Sequence, residues 1–301
     1  MISILNKNLV MKPQIIGTGL SGLVGSRLTE LLADDFDFKD LSYDSGIDIT
    51  NREQVAAVIR SSAAKIILHL AAKVDVDACE HDKPLGKNGP AWQINVTGTR
   101  NIAEQTKLYR KKMIYISTDF VFAGSRDEYD EDDKPDPVNW YGFTKYEGEK
   151  IVLAQKGNLV ARIAYPYRAT NPTKPDFVHS IAQVLQKEET VTLVSDYVFT
   201  PTFIDDMVMA LKFLIAKNAL GIYHIVGSSS LTPYEAATQV ADVFGFKKEL
   251  IGKTSGKEYY QYKAPRPEKL KIKNDKLQTL GYKMLTFRQG LNDIKKQGFK
   301  L

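Results

Sequence analysis

Short apolar runs alternate with segments of helical apolar spacing along the first 163 residues of the chain. The runs have the length of buried strands, whereas the segments between them repeat apolar residues every three or four positions. Parallel strands need long crossover connections, which are usually helices, so this alternation predicts an α/β fold with a doubly wound parallel sheet. Strands are predicted at residues 13–18, 36–42, 65–70, 112–117 and 158–163, and helices at 23–33, 50–59, 92–107 and 141–155.

After about residue 164 the alternation loosens. Strand patterns remain at residues 191–194 and 221–226, and helical patterns at 203–215, 232–245 and 287–296. Capping boxes, in which a Thr is followed three residues later by a Glu, predict the helix starts at Thr50 and Thr232. We therefore predict a smaller C-terminal lobe over residues 164–301, with segments near 191–227 that return to the sheet of residues 1–163.

Composition narrows the class of protein. The chain has 301 residues, 43% hydrophobic and 26% charged, which is typical of a globular protein and not of a disordered one. Its apolar runs are far shorter than the roughly 20 residues of a membrane helix. Residues 1–13 lack the apolar core of a signal peptide, and Cys79 is the single cysteine, which excludes an internal disulfide. These features predict a cytoplasmic protein with no membrane partner.

Charge is unevenly distributed along the chain. The formal net charge is +5, yet residues 247–276 hold ten basic and four acidic side chains, and residues 127–136 hold seven carboxylates. Lysines far outnumber arginines, whereas nucleic-acid recognition prefers arginine. We therefore expect both stretches to be solvated surfaces, with no nucleic-acid partner, and one arginine of the basic stretch to meet an anionic small molecule.

A glycine-rich segment lies between the first predicted strand and the first predicted helix. Glycines let the backbone turn sharply and approach a diphosphate, and the helix N-terminus supplies free N–H groups and the positive end of a dipole. This order predicts a dinucleotide cofactor and a Rossmann-type dinucleotide-binding domain over residues 1–163. The predicted cofactor-binding residues of the segment are Gly19, Leu20, Ser21, Gly22, Leu23, Val24 and Gly25.

The adenosine end of the cofactor site is less sharply defined. A carboxylate ending the second strand would bond the ribose hydroxyls and favour NAD, but the residue at that place is Ser42, with Asp44 two positions on. Asp48 and Ile49 are predicted to hold the adenine, although Asp48 also fits a simple turn residue. The cofactor prediction is therefore NADP or NAD.

Tyr141 and Lys145 are spaced four residues apart and so share one face of a predicted helix. An ammonium beside a phenol favours the phenolate and lowers the pKa of the phenol. Such a pair suits hydride transfer to a carbonyl, with Tyr141 protonating the oxygen. Thr118 directly follows the fourth predicted strand, at the sheet edge where open α/β sheets bind ligands, and is predicted to hydrogen-bond the substrate oxygen.

These motifs, in this order, resemble the extended short-chain dehydrogenase/reductase family. Within it, residues 69–80, 116–122 and 137–149 are similar to the dTDP-4-dehydrorhamnose reductases, and the likeness spans roughly residues 13–285. The resemblance implies reduction of the C4 ketone of a nucleotide-activated 4-keto-6-deoxyhexose by NADPH or NADH. It also implies the catalytic residues Thr118, Tyr141 and Lys145.

The resemblance further implies several binding residues. Leu70, Ala71 and Ala72 would line the cofactor groove, together with Tyr141 and Lys145, and Asn95 would lie on a supporting helix. The implied substrate residues are Val76, Thr118, Asp119, Phe120, Tyr165 and Arg266.

The chain departs from the family pattern at four positions. Phe120 replaces a common tyrosine, Tyr165 an aromatic that is often tryptophan, and Lys73 a common histidine. Arg27 stands where some members carry a glutamate of a dimer-interface metal site, so we predict no metal. These departures leave the exact sugar and the dimer mode open.

Two other functions keep the same motifs. One is a non-catalytic, NADP-binding regulatory subunit like the β subunit of methionine adenosyltransferase. The other is a sugar-nucleotide epimerase or epimerase/reductase. The resemblance also allows a homodimer.

Overall fold

A six-stranded sheet forms the centre of the protein, whose computed structural model describes residues 12–170 and 175–299. The strand order is β2-β1-β3-β4-β5-β9 and every pair is parallel. This confirms the predicted α/β fold with a Rossmann-type doubly wound sheet. The strands are β1 Gln14–Thr18, β2 Asp37–Asp40, β3 Ile66–His69, β4 Lys112–Thr118, β5 Leu159–Ile163, β6 Pro166–Tyr167, β7 Val191–Val194, β8 Thr202–Phe203, β9 Gly221–His224 and β10 Ile251–Thr254.

Helices cover both faces of the sheet, as predicted. One buried core joins the sheet to α1, α8 and α11, and another joins the opposite face to α2, α5 and α6. The helices are α1 Leu23–Leu31, α2 Arg52–Ser61, α3 Val76–Asp82, α4 Pro90–Trp92, α5 Thr99–Leu108, α6 Trp140–Leu153, α7 Phe177–Gln186, α8 Ile204–Ala216, α9 Pro233–Phe244, α10 Gly256–Tyr259, α11 Asp275–Leu280 and α12 Phe287–Lys296. No helix of the described part is long and apolar enough to cross a membrane.

The helix predicted over residues 92–107 is not uniform. A π-helical segment, Gln93–Gly98, separates α4 from α5, and such segments are rare and often lie at functional sites.

The predicted capping box at Thr50 is wrong, because Asn51 caps α2 and accepts hydrogen bonds from the N–H groups of Glu53 and Gln54. The capping box at Thr232 is confirmed, and Gly245 ends α9 in the left-handed conformation.

A separate apolar core forms among α7, α9 and α12 in the second half of the chain. Of the segments predicted to return to the sheet, α8 packs on it and β9 extends it beside β5. The strand predicted at residues 191–194 does not return, because it pairs with β10 in the smaller lobe. We propose a domain boundary at residue 163, with α8 and β9 returning from the second half of the chain to the sheet of the first.

The acidic and basic stretches lie side by side. Lys269 pairs with Asp127 at 3.0 Å, and Lys271 and Lys273 both pair with Glu128. The partners are exposed or half-exposed, in line with the expectation of surface stretches. Their mutual pairing was not predicted, since it joins segments about 140 residues apart.

Candidate active site

A cavity of about 830 Å³ opens at the carboxyl edge of the sheet, a volume typical of a site for a small organic ligand. All but two of the residues that the sequence predicts to bind the cofactor or the substrate line this cavity. The predicted residues that line it are Gly19, Ser21, Gly22, Leu23, Val24, Gly25, Ser42, Ile49, Leu70, Ala71, Ala72, Val76, Thr118, Asp119, Phe120, Tyr141, Lys145, Tyr165 and Arg266. Leu20 and Asp48 do not line it.

The glycine-rich loop closes one end of this cavity. Gly19 has φ 67°, and a Cβ there would lie 2.7 Å from the backbone nitrogen of Ala71. A Cβ on Gly25 would overlap the carbonyl oxygen of Gly19. Helix α1 starts at Leu23 without a side-chain cap, so the N–H groups of its first turn remain open to an anion. These residues fit the diphosphate of a dinucleotide.

We expect Gly25→Ala to weaken NADPH and NADH binding by more than about tenfold, because the added methyl group forces the loop away from α1. The matched control is Gly252→Ala in β10, where the nearest atom to the new Cβ lies at 3.3 Å and the residue does not line the cavity. Fluorescence titration gives both dissociation constants. Binding by Gly25→Ala within twofold of the unmodified protein would contradict this role of the loop.

At the adenosine end, Ser42 and Asp44 line the cavity, as does Ile49. Strand β2 ends at Asp40, two residues earlier than predicted, and the Ser42 hydroxyl donates to the Asp40 carboxylate. Asp48 instead accepts hydrogen bonds from the N–H and hydroxyl of Thr50, both at 2.8 Å. These bonds are typical of a turn residue, which is the alternative that the sequence left open for Asp48.

Thr118, Tyr141 and Lys145 come together from two elements. Thr118 is the last residue of β4, and helix α6 carries Tyr141 and Lys145 one turn apart. Asn139 caps this helix by accepting a hydrogen bond from the N–H of Gly142 at 2.8 Å. All three predicted catalytic side chains are buried.

The ionisation of Tyr141 and Lys145 differs from the expectation. Burial raises the pKa of Tyr141 above its ordinary value, although a hydrogen bond with Thr118 opposes this shift. Burial also lowers the pKa of Lys145 to about 7, and its Nζ donates to the Ile116 carbonyl at 2.7 Å. The expected lowering of the Tyr141 pKa is therefore wrong for this structure, because desolvation outweighs the lowering effect of Thr118. A raised pKa keeps the phenol protonated at neutral pH.

Asp119 and Phe120 follow Thr118 directly and face the predicted substrate end. Burial raises the pKa of the Asp119 carboxyl to about 7. Phe120 packs edge-on against Tyr141, with ring centroids 5.8 Å apart. Tyr165 has φ 39°, which is rare for a bulky residue and typical of strained positions at functional sites.

Sequence reasoning missed the role of helix α3 in assembling the site. Its Asp77 pairs with Arg266 at 3.0 Å and accepts from the N–H of Ala264. Its Glu80 accepts from the N–H of Trp140, in the first turn of α6. The helix thereby joins the smaller lobe to α6, which carries Tyr141 and Lys145. Local sequence patterns could not reveal these contacts, because they join residues up to about 190 positions apart. The only signal for this segment was the family resemblance over residues 69–80.

The Asn95 side chain also helps to hold the site together. From the sequence, the resemblance implied only that Asn95 lies on a supporting helix. It accepts from the N–H of Lys73 at 2.8 Å and donates to Thr144 at 2.9 Å. Thr144 immediately precedes Lys145. The π-helical segment thus connects the residue that follows Ala72 with helix α6.

The histidines predicted to be packing residues are buried. His69 and His224 are fully buried, and burial lowers the pKa of each to about 3.

Arg27 makes a bidentate contact with the carboxylate of Asp205, at 2.6 and 2.7 Å. Across residues 12–170 and 175–299, no cluster of three or more histidine, cysteine or carboxylate side chains is placed to hold a metal.

The parallel sheet, the glycine loop and the Thr118, Tyr141 and Lys145 arrangement define an extended short-chain dehydrogenase/reductase, a class of NAD(P)-dependent oxidoreductases. Within this class, the chain belongs to the family described as the RmlD substrate-binding domain, which it matches over residues 11–298. The resemblance stated from the sequence is therefore confirmed.

Three relatives illustrate the family. The chain is 30% identical to dTDP-4-dehydrorhamnose reductase of Mycolicibacterium smegmatis, over 94% of this chain and 85% of the relative. It is 29% identical to the mouse methionine adenosyltransferase 2 subunit beta, over 82% and 74% of the two chains. The crystal structure of dTDP-4-dehydrorhamnose reductase from Bacillus anthracis in complex with NADP superposes with a TM-score of 0.86, 30% identity, and coverage of 95% of this chain and 99% of that one.

Proposed function

We propose that the protein is an NAD(P)H-dependent reductase of the C4 ketone of a nucleotide-activated 4-keto-6-deoxyhexose. The observation that carries this proposal is a buried Tyr141 beside Thr118 and Lys145, in the same cavity as the glycine loop. The 30% identical relatives with this activity support the substrate class.

Each residue has a distinct task in the proposed reaction. The glycine loop and the first turn of α1 hold the cofactor diphosphate, and Lys145 holds the nicotinamide ribose. When bound, NAD(P)H supplies a hydride. Thr118 donates a hydrogen bond that orients the ketone oxygen, and Tyr141 delivers its phenolic proton to that oxygen. Their placement before the reaction removes much of the entropic cost of reaching the transition state.

The substrate is proposed to extend toward the smaller lobe. Val76, Asp119, Phe120 and Tyr165 would surround the sugar, and Arg266 would meet the diphosphate. The guanidinium of Arg266 keeps N–H groups beyond those that bond Asp77 and the Ala264 carbonyl. It can therefore bind a phosphate without releasing the smaller lobe.

The test is oxidation of NADPH or NADH in the presence of dTDP-4-keto-6-deoxyhexose, followed at the nicotinamide absorbance. We expect sugar-dependent loss of absorbance and a product with a hydroxyl at C4. A protein that binds cofactor but turns over no nucleotide-linked 4-keto sugar would contradict the proposal.

The similarity to methionine adenosyltransferase 2 subunit beta supports a second candidate, a cofactor-binding regulatory subunit. The intact trio within the cavity favours the enzyme. Co-purification with a larger partner enzyme, with bound NADP and no reductase activity, would favour the subunit. The preference between NAD and NADP, a cytoplasmic location and a homodimer stay predictions.

A further inference from the structure

Thr118 makes more contacts than its single hydroxyl proton can serve. Its Oγ1 lies 3.0 Å from Oδ1 of Asp119 and accepts the backbone N–H of Phe120 at 3.2 Å. Tyr141 lines the same cavity, and its interaction with the Thr118 side chain opposes the rise of the Tyr141 pKa. A hydroxyl has one proton to donate and two lone pairs to accept with. The protonation state of its neighbours therefore decides where the Thr118 proton points.

An ionised Asp119 can only accept hydrogen bonds, so it takes the Thr118 proton for itself. A protonated Asp119 reverses this bond and donates to Oγ1. The oxygen then accepts from Asp119 and from the N–H of Phe120, which fills both lone pairs. Its own proton is left for the ketone oxygen or for Tyr141.

We infer that Asp119 is a positioning residue whose protonated form releases the Thr118 hydroxyl for catalysis and whose ionised form withholds it. The inference rests on the proposed reduction and adds a control of the same site by one proton. No net chemistry is added, because the Asp119 proton only turns a hydrogen bond around and the proton consumed by the reaction still comes from Tyr141.

The surroundings of Asp119 suit this switch. The side chain is 2% exposed, and its Oδ2 is buried without a hydrogen-bond partner among the described residues. The charge of Asp119 raises the pKa of Tyr141 from α6 and of Tyr165 after β5, and Lys145 and Arg266 line the same cavity. The groups that oppose its raised pKa are the Thr118 hydroxyl and backbone N–H donors, and none is a cation. Ionisation of Asp119 therefore falls near neutral pH.

The test compares pH profiles of kcat/KM for the unmodified protein, Asp119→Asn and Thr118→Val. In the unmodified protein, kcat/KM should fall about tenfold per pH unit above about 7. In Asp119→Asn, an amide NH2 in the place of Oδ1 donates to Thr118 at every pH, and the amide oxygen takes the place of the unpartnered Oδ2. We expect this variant to lose the decline and to exceed the unmodified protein about 100-fold at pH 9.

Two further variants separate the switch from other causes. Adding Asp119→Asn to Thr118→Val should leave the pH profile of Thr118→Val unchanged, because the hydroxyl is already gone. Asp127→Asn, a change in an exposed carboxylate of the acidic loop, is the control and should leave the profile as it is.

A readout without activity comes from thermal unfolding. A carboxyl whose folded-state pKa is raised makes the protein less stable as pH rises from about 4 to 7, because the folded state holds the proton more tightly. The unfolding temperature of Asp119→Asn relative to the unmodified protein should rise over this range. A flat difference would show that Asp119 does not titrate there.

Retention of the same decline in Asp119→Asn would overturn the inference and assign the decline to another group, such as Lys145. Inactivity of Asp119→Asn at every pH would also overturn it, because a fixed donor would then not suffice. Absence of any reductase activity in the unmodified protein is a different result and would contradict the proposed function instead.

Discussion

Replacement of Tyr141 by phenylalanine is expected to lower kcat about 10³-fold with little change in the dissociation constant of NADPH. The change removes one hydroxyl, and general acid catalysis of this kind contributes about 10²–10⁴-fold to a rate. The ring of Phe would keep the contact with Phe120, so the fold and the cavity should persist. Steady-state kinetics and fluorescence titration of NADPH measure both quantities.

The matched control for this change is Tyr146→Phe on the same helix. Tyr146 is partly exposed, contacts Lys150 and does not line the cavity. Its loss of a hydroxyl should leave kcat within about twofold of the unmodified protein. Activity of Tyr141→Phe close to that of the control would refute the assignment of Tyr141 as proton donor.

Removal of Glu149 is expected to give the largest loss of stability. Its carboxylate binds Arg162 through two hydrogen bonds of 2.9 and 2.8 Å, and both side chains are 1% exposed. Glu149→Gln leaves the guanidinium without a counter-charge inside the protein. Breaking such a buried pair costs about 3–5 kcal/mol, which chemical denaturation would measure as a lower free energy of unfolding.

Two comparisons make the prediction specific. Glu147→Gln removes the carboxylate that pairs with Lys150 on the exposed side of α6, and should cost no more than about 1 kcal/mol. The double variant Glu149→Gln, Arg162→Met should be more stable than Glu149→Gln alone, since no buried charge is left unpaired. A cost below about 1 kcal/mol for Glu149→Gln would contradict the role of this pair.

Glu149 also affects the active site. It lies four residues after Lys145 on α6, and its charge raises the Lys145 pKa against the lowering effect of burial. The Glu149 carboxylate, which pairs with Arg162 of β5, therefore also favours the charged form of Lys145.

The elements that the sequence predicted well are those whose signals are local. The glycine loop, the start of α1 and the Tyr141–Lys145 spacing depend on neighbours within a few residues, so the residue order determines them. The errors are also instructive. The cap of α2 moved from Thr50 to Asn51 because Asp48 takes the Thr50 hydroxyl, and the strand at residues 191–194 paired with β10 because partner choice depends on distant segments.

The sequence by itself determined the fold class, the family and the set of residues that meet in one cavity, because these depend on periodicity and on motifs of fixed spacing. Only the tertiary structure decided how those residues ionise and whom they bond. Burial raised the pKa of Tyr141, whereas proximity to Lys145 had predicted a decrease. The fold also placed the Asp119 carboxylate next to the Thr118 hydroxyl, where it competes for the hydroxyl proton. Desolvation and single-proton hydrogen bonding depend on atoms brought together from across the chain, which residue order does not reveal.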